Sequence, residues 1–143
     1  MAETREETLR RFFQQYAKAT REGDTEIIAT SYAPTYIETS PDTFVAWKVD
    51  EQYRKALVER HTMLQQQLGL QALDVEIVSA EEVAPLHYMV RARWKMTFAK
   101  ARAGNVTSLF DITYMVKIAS KPQILAYISH ESEEAVMRRD GVI

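Results

Sequence analysis

The chain has 143 residues, 46% of them hydrophobic and 27% charged, with eighteen basic residues against twenty acidic and a formal charge of −2. That is enough chain to bury the core of one domain, and the slightly acidic balance excludes the basic footprint that nucleic-acid binding leaves. Cysteine is absent, which excludes disulfides, thiolate metal ligands and a cysteine nucleophile.

The start, Met1-Ala2-Glu3-Thr4-Arg5-Glu6-Glu7, is too charged for a secretory signal. No apolar run approaches membrane-spanning length. A cytoplasmic protein with no membrane partner is therefore expected. From about Glu3 to Arg21 the apolar residues Leu9, Phe12, Phe13, Tyr16 and Ala17 recur at three- and four-residue steps, the spacing of an amphipathic helix. Gly23 suits its stop and Asp24 the cap of a short second helix carrying Ile27 and Ile28. Tyr36 to Thr39 reads as a short strand closed by the turn Ser40-Pro41-Asp42. Asp50 opens a longer helix with Tyr53, Leu57, His61, Leu64 and Leu68 on one stripe, and Gly69 ends it.

After Gly69 the period changes to two, the signature of strands. Leu73, Val75 and Ile77 alternate with Asp74 and Glu76. Beyond Pro85, Leu86, Tyr88, Val90, Ala92, Trp94, Met96 and Phe98 form one face of a long strand. Its other face is His87, Met89, Arg91, Arg93, Lys95 and Thr97, most simply solvated or subunit-facing. Ala103-Gly104-Asn105 turns the chain into the run Ser108 to Val116, making a long hairpin. Lys121-Pro122 leads to a last strand, Ile124 to Ser129, and Ser132 caps a C-terminal helix, Glu133 to Arg139. The whole, residues 1–143, reads as one α+β domain in which a sheet buries one face against helices.

Asp111 is the lone acid in an apolar run. Read as a strand, it shares a face with Leu109, Thr113 and Met115, while Phe110, Ile112, Tyr114 and Val116 take the other. Both faces look buried. A buried carboxylate must be paired, hydrogen-bonded or protonated. Two roles stay open for it: a structural carboxylate paired with an arginine, or a pocket acid with its pKa raised by desolvation. Tyr16 has the same two readings, as a core aromatic or as a polar anchor. No two histidines among His61, His87 and His130 stand at a metal-ligand spacing, so no metal and no cofactor is expected.

In element order the chain resembles the nuclear transport factor two-like superfamily, the SnoaL-like or cystatin-like cone fold. The resemblance is carried by Tyr16-Ala17-Lys18-Ala19-Thr20-Arg21-Glu22-Gly23-Asp24, the long hairpin and Ser129-His130-Glu131-Ser132-Glu133-Glu134. It implies a curved antiparallel sheet wrapped around N-terminal helices, forming a cone with an internal pocket. Within that superfamily the chain is similar to ketosteroid isomerase at two positions. Tyr16, eight residues before Asp24, matches the family's first-helix tyrosine, and Asp111 matches its protonated acid. At the family's general-base position Ser40 stands before Pro41, so Glu38, on the same strand face, is the carboxylate that would substitute. Leu57 lies near the place of a third-helix tyrosine. The resemblance thus implies Tyr16, Asp111 and Glu38 as catalytic residues and Trp47, His61, Trp94 and Leu125 as pocket lining. It also implies a hydrophobic small molecule bearing a carbonyl, enol or phenol as ligand, and a homodimer. The activity would be isomerisation, cyclisation or dehydration; the alternative is a non-catalytic binding or assembly module.

Overall fold

Thr4 opens the first helix with a reciprocal cap. Its hydroxyl accepts from the Glu7 backbone N–H at 3.1 Å, and the Glu7 carboxylate accepts from the Thr4 N–H at 3.3 Å. The computed structural model describes residues 3–143; Met1 and Ala2, which open the charged start, lie outside the described residues. Helix α1 runs Arg5–Glu22 and buries Leu9, Phe13 and Ala17. Phe13 is fully buried, so Phe13→Ala would cost about 3–5 kcal/mol through the cavity it leaves.

Gly23 ends α1 at a φ of 75°, a left-handed conformation that a Cβ disfavours. A Cβ there would also come within 2.7 Å of the His61 ring. Asp24 caps α2, Thr25–Thr30, as expected. Asp50 caps α3, Glu51–Thr62, by accepting from the Tyr53 N–H at 3.0 Å. A π-helical turn over Met63–Gln67 extends α3, closed by a bond from the Leu68 N–H to the Met63 carbonyl at 3.2 Å.

Six strands follow the order β2-β1-β6-β5-β4-β3 in one open sheet. They are β1 (Tyr32–Ser40), β2 (Thr43–Lys48), β3 (Leu70–Ala84), β4 (His87–Ala101), β5 (Gly104–Ile118) and β6 (Pro122–Ser129). All neighbours are antiparallel except β1 and β6, which run parallel. Register shifts on β3, β4 and β6 mark bulges, the usual means by which long strands bend. Ser132 caps α4, Glu133–Arg139. No helix among the described residues is long and apolar enough to cross a membrane.

The structure departs from the sequence reading at β1 and β2. The expected strand Tyr36 to Thr39 extends over nine residues, and Thr43–Lys48 is a strand that local pattern did not separate from a loop. β2 is an edge strand, paired on one side only with β1, and its Phe44 is 71% exposed. Its strand character comes from tertiary pairing more than from burial of alternating residues. The inner face of β4 is the expected one from Tyr88 on, with Tyr88, Val90, Ala92, Trp94, Met96 and Phe98 all buried, whereas Leu86 lies in the turn before β4 at a φ of 71° and is 41% exposed.

Candidate functional site

The inner side of the curved sheet and the helices enclose a cavity of about 470 Å³. Strand alternation on β1 turns Tyr32, Tyr36 and Glu38 toward it. Trp47 enters from β2 as the register partner of Tyr36. The Asp50 cap places Tyr53 on the first turn of α3, and α1 contributes Tyr16. From β4, β5 and β6 come Trp94, Tyr114 and Tyr127. Six of the seven tyrosines in the chain therefore line one cavity.

Four of their hydroxyls pair with one another, and a fifth, that of Tyr114, accepts from Trp94. Tyr16 and Tyr32 share a short hydroxyl–hydroxyl bond. Tyr36 donates to the Tyr53 hydroxyl at 2.8 Å, and the Trp94 indole N–H donates to the Tyr114 hydroxyl at 2.9 Å. Glu38 Oε1 accepts from the Trp47 indole N–H at 2.9 Å. The aromatic rings form a continuous wall. Tyr32 and Tyr36 stack at 4.1 Å between centroids, Tyr36 meets Tyr127 at 6.2 Å, and Tyr53 stands edge-on to both Tyr36 and Trp47 at 5.8 and 5.7 Å.

Burial dominates the electrostatics of these phenols. It pushes all six above the ordinary tyrosine value, and neighbouring hydroxyls and Glu38 raise several further. For Tyr127 the charge of Glu38 is the next largest cause after burial. The phenols stay neutral near pH 7, so they are hydrogen-bonding groups there and not bases. At the edge of the cavity Arg60 of α3 forms a two-pronged pair with Glu133 of α4. Burial opposes both charges, yet the pair outweighs it, lowering the Glu133 pKa and raising that of Arg60.

Tyr16, Glu38, Trp47 and Trp94 line the cavity. Asp111 does not. Phe110 and Ile112 on either side of it line the cavity, so alternation turns Asp111 to the outer face of the sheet. There it is the register partner of Arg93. Arg93 donates from Nε to Oδ1 at 2.9 Å, and Arg91 donates from Nε to Oδ2 at 2.8 Å. The Arg93 hydrogen bonds are the largest influence on the carboxyl and Arg91 adds to them, so its pKa is lowered although desolvation pulls the other way. The expectation of a raised pKa is thereby corrected, and the arginine-paired reading is the one this geometry carries.

His61 also lies elsewhere. Its ring packs against Gly23, and Nε2 lies 3.1 Å from the Arg21 carbonyl at the end of α1. Leu125 falls at the β5–β6 register shift, between Ala126 paired with Met115 and Ile124 paired with Val116, and is not among the cavity residues. Ser40 reaches the rim, where its hydroxyl donates to Asp42 at 2.9 Å. Leu57 lines the cavity, while the third-helix hydroxyl comes from Tyr53 one turn earlier. The sequence reading missed Tyr32, Tyr36, Tyr53, Tyr114, Tyr127 and Arg60. The available signal was the even-numbered alternation of Tyr32, Tyr36 and Glu38 on β1, continued by Tyr114 opposite the charged face of β5.

A six-stranded bent sheet around N-terminal helices, hollow at its centre, defines the nuclear transport factor two-like fold, and comparison with solved structures agrees. The chain is similar to an NTF-2 like protein of unknown function from Shewanella oneidensis, with a TM-score of 0.71, 14% identity, and coverage of 90% of this chain and 100% of that one. It is similar to a ketosteroid isomerase-like protein from Erwinia carotovora atroseptica (TM-score 0.62, 14% identity, 86% and 92% coverage). A scytalone dehydratase-like protein from Novosphingobium aromaticivorans also matches (TM-score 0.67, 11% identity, 87% and 82% coverage). No protein-family model matches the sequence, and no curated protein does. At these identities the likeness establishes the fold alone.

Proposed function

We propose that this chain binds a small, largely apolar molecule in the central cavity, and that Glu38 is the group in it able to move a proton. The cavity's size suits a ring-sized ligand, and its walls are aromatic with a few placed polar groups, the usual make-up of small-molecule sites. The observation that carries the reading is the Trp47–Glu38 hydrogen bond, which holds a carboxylate at a fixed place in the aromatic lining. With Asp111 on the other face, the acid–base pair implied by the resemblance reduces to Glu38 alone. The Tyr16–Tyr32 hydroxyl pair is the donor available to a carbonyl, enol or phenol oxygen. Isomerisation, cyclisation or dehydration is the chemistry this set fits. The ketosteroid isomerase-like and scytalone dehydratase-like neighbours support that class by shared fold only.

The test is native mass spectrometry of the freshly purified protein, followed by displacement of any bound molecule. A retained small molecule that Glu38→Gln releases or fails to turn over supports the reading. A cavity that retains nothing and binds no member of a library of ring-sized apolar compounds overturns it.

Homodimer formation through the outer face of the sheet and cytoplasmic residence complete the proposal. That face exposes Leu109 by 52% and Ile128 by 48%, beside the mixed charges of Arg91, Arg93 and Asp111. Exposed apolar residues interleaved with both signs of charge suit a self-complementary two-fold contact.

A further inference from the structure

The charge balance of the cavity points to the class of molecule it holds. Four carboxylates line it, Glu38, Asp42, Glu133 and Glu134, against one guanidinium, Arg60. Arg60 is engaged by both oxygens of Glu133. Glu38 stands deeper, among rings. It is the register partner of Tyr127 on β6, follows Tyr36 by two residues on the same strand face, and accepts from Trp47. Tyr53 closes the set by edge contacts to Tyr36 and Trp47.

Two of the donors around Glu38 are already committed. The Trp47 N–H is given to Glu38 and the Tyr36 O–H to Tyr53. Besides the hydroxyls of Tyr53 and Tyr127, the surrounding rings present π-surface, which carries negative potential on its faces. A carboxylate set among such rings, with the one guanidinium of the lining spent on another carboxylate, is complementary to positive charge. Rings and carboxylate act in the same direction, as they do wherever aromatic boxes hold ammonium groups.

We propose that the ligand of this cavity is an organic cation, a protonated amine or quaternary ammonium group on an apolar body, seated among Tyr36, Trp47, Tyr53 and Tyr127 with Glu38 as its counter-ion. The inference rests on the reading of the cavity as a small-molecule site and names the charge of what enters it. Neutral phenols strengthen the case: burial keeps the tyrosines protonated, so the walls contribute polarisable faces and the carboxylates the net charge.

The chain's two tryptophans both line the cavity, so intrinsic fluorescence reports on its occupancy. The probes are benzyltrimethylammonium and neopentylbenzene, which have the same shape and differ in charge. The cation is expected to bind at least about tenfold more tightly than its neutral isostere, and Glu38→Gln, checked for folding by circular dichroism, is expected to collapse that ratio toward one. Equal or tighter binding of neopentylbenzene overturns the cation assignment while leaving the small-molecule site intact. A charge preference that survives in Glu38→Gln overturns the counter-ion role of Glu38. Failure of both probes to perturb the tryptophans or their NMR signals overturns the site itself. The comparison of the two probes on the unaltered protein needs no variant, so misfolding of Glu38→Gln would not spare the proposal.

Discussion

Trp47 donates its indole N–H to Glu38 across the β1–β2 hairpin at 2.9 Å, so a residue of the sheet's outermost strand fixes the one carboxylate set within the aromatic wall. An edge strand that covers little core thus matters through the orientation it imposes. Rotamer freedom of an unheld glutamate would spread its charge over several positions, and the hydrogen bond to an ionised acceptor restricts it.

Trp47→Phe keeps an aromatic ring, smaller than the indole, and removes the donor. The expected outcome is a loss of about 1.5–3 kcal/mol in urea unfolding, the range for a hydrogen bond to a charged group. Affinity for the benzyltrimethylammonium probe should fall about three- to tenfold in parallel. Unchanged affinity would show that Glu38 needs no positioning by Trp47.

The Tyr36–Tyr53 bond predicts an asymmetry. Tyr36 is the donor and is buried. Tyr53→Phe removes the acceptor and strands a buried O–H, at a cost of about 1–3 kcal/mol. Tyr36→Phe removes the donor and leaves the Tyr53 hydroxyl with its own hydrogen still able to rotate toward another partner, at a cost of about 1 kcal/mol or less. Denaturant titration of both variants checks the order, and a reversed order would assign the proton to the other oxygen.

Asp111 links stability to pH. Its folded pKa is lowered below the ordinary 3.8, chiefly by hydrogen bonds from Arg93 and then Arg91. A lowered carboxyl pKa contributes stability that is fully present above the unfolded value and disappears as pH falls through the folded one. Asp111→Asn is therefore expected to lose on the order of 1 kcal/mol at pH 7, the scale of a partly exposed ion-pair network. The difference from the unaltered protein should begin to shrink as pH drops below about 4 and vanish only once pH is below the lowered folded value. Because the carboxylate is on the outer face, probe binding in the cavity should be unaffected. A pH-independent difference would remove the ion pair as the source.

The outer face offers a test of association. Ile128, paired with Thr113 and Thr39 on the neighbouring strands, is 48% exposed. Ile128→Glu places a charge in the middle of the proposed contact and is expected to convert a dimer to a monomer in sedimentation velocity, with the thermal melt of the monomer little changed. A concentration-independent monomer before any substitution would end the dimer proposal.

Much of the scaffold was readable from local chemistry. Asp24, Asp50 and Ser132 cap helices where their side chains said they would. The turn at Gly104 joins two fifteen-residue strands. Of the two readings open for Asp111, the paired one was implicit in the sequence: Arg91 and Arg93 stand on the polar face of β4, and the turn at Gly104 brings Asp111 opposite Arg93. The run around Asp111 looked apolar on both faces, and a one-residue choice of face moves a side chain from pocket to surface.

The amino-acid order by itself determined the helices and their caps, the long β4–β5 hairpin and the inner face of β4, because caps, glycine conformations and the period-two pattern act within a few residues of chain. Only the folded arrangement decided which groups share the cavity. Tyr16, Glu38, Tyr53 and Tyr127 come from α1, β1, α3 and β6, and their convergence depends on the parallel seam between β1 and β6 and on bulges that bend the sheet. Those are contacts between residues distant in the chain, which no local pattern records.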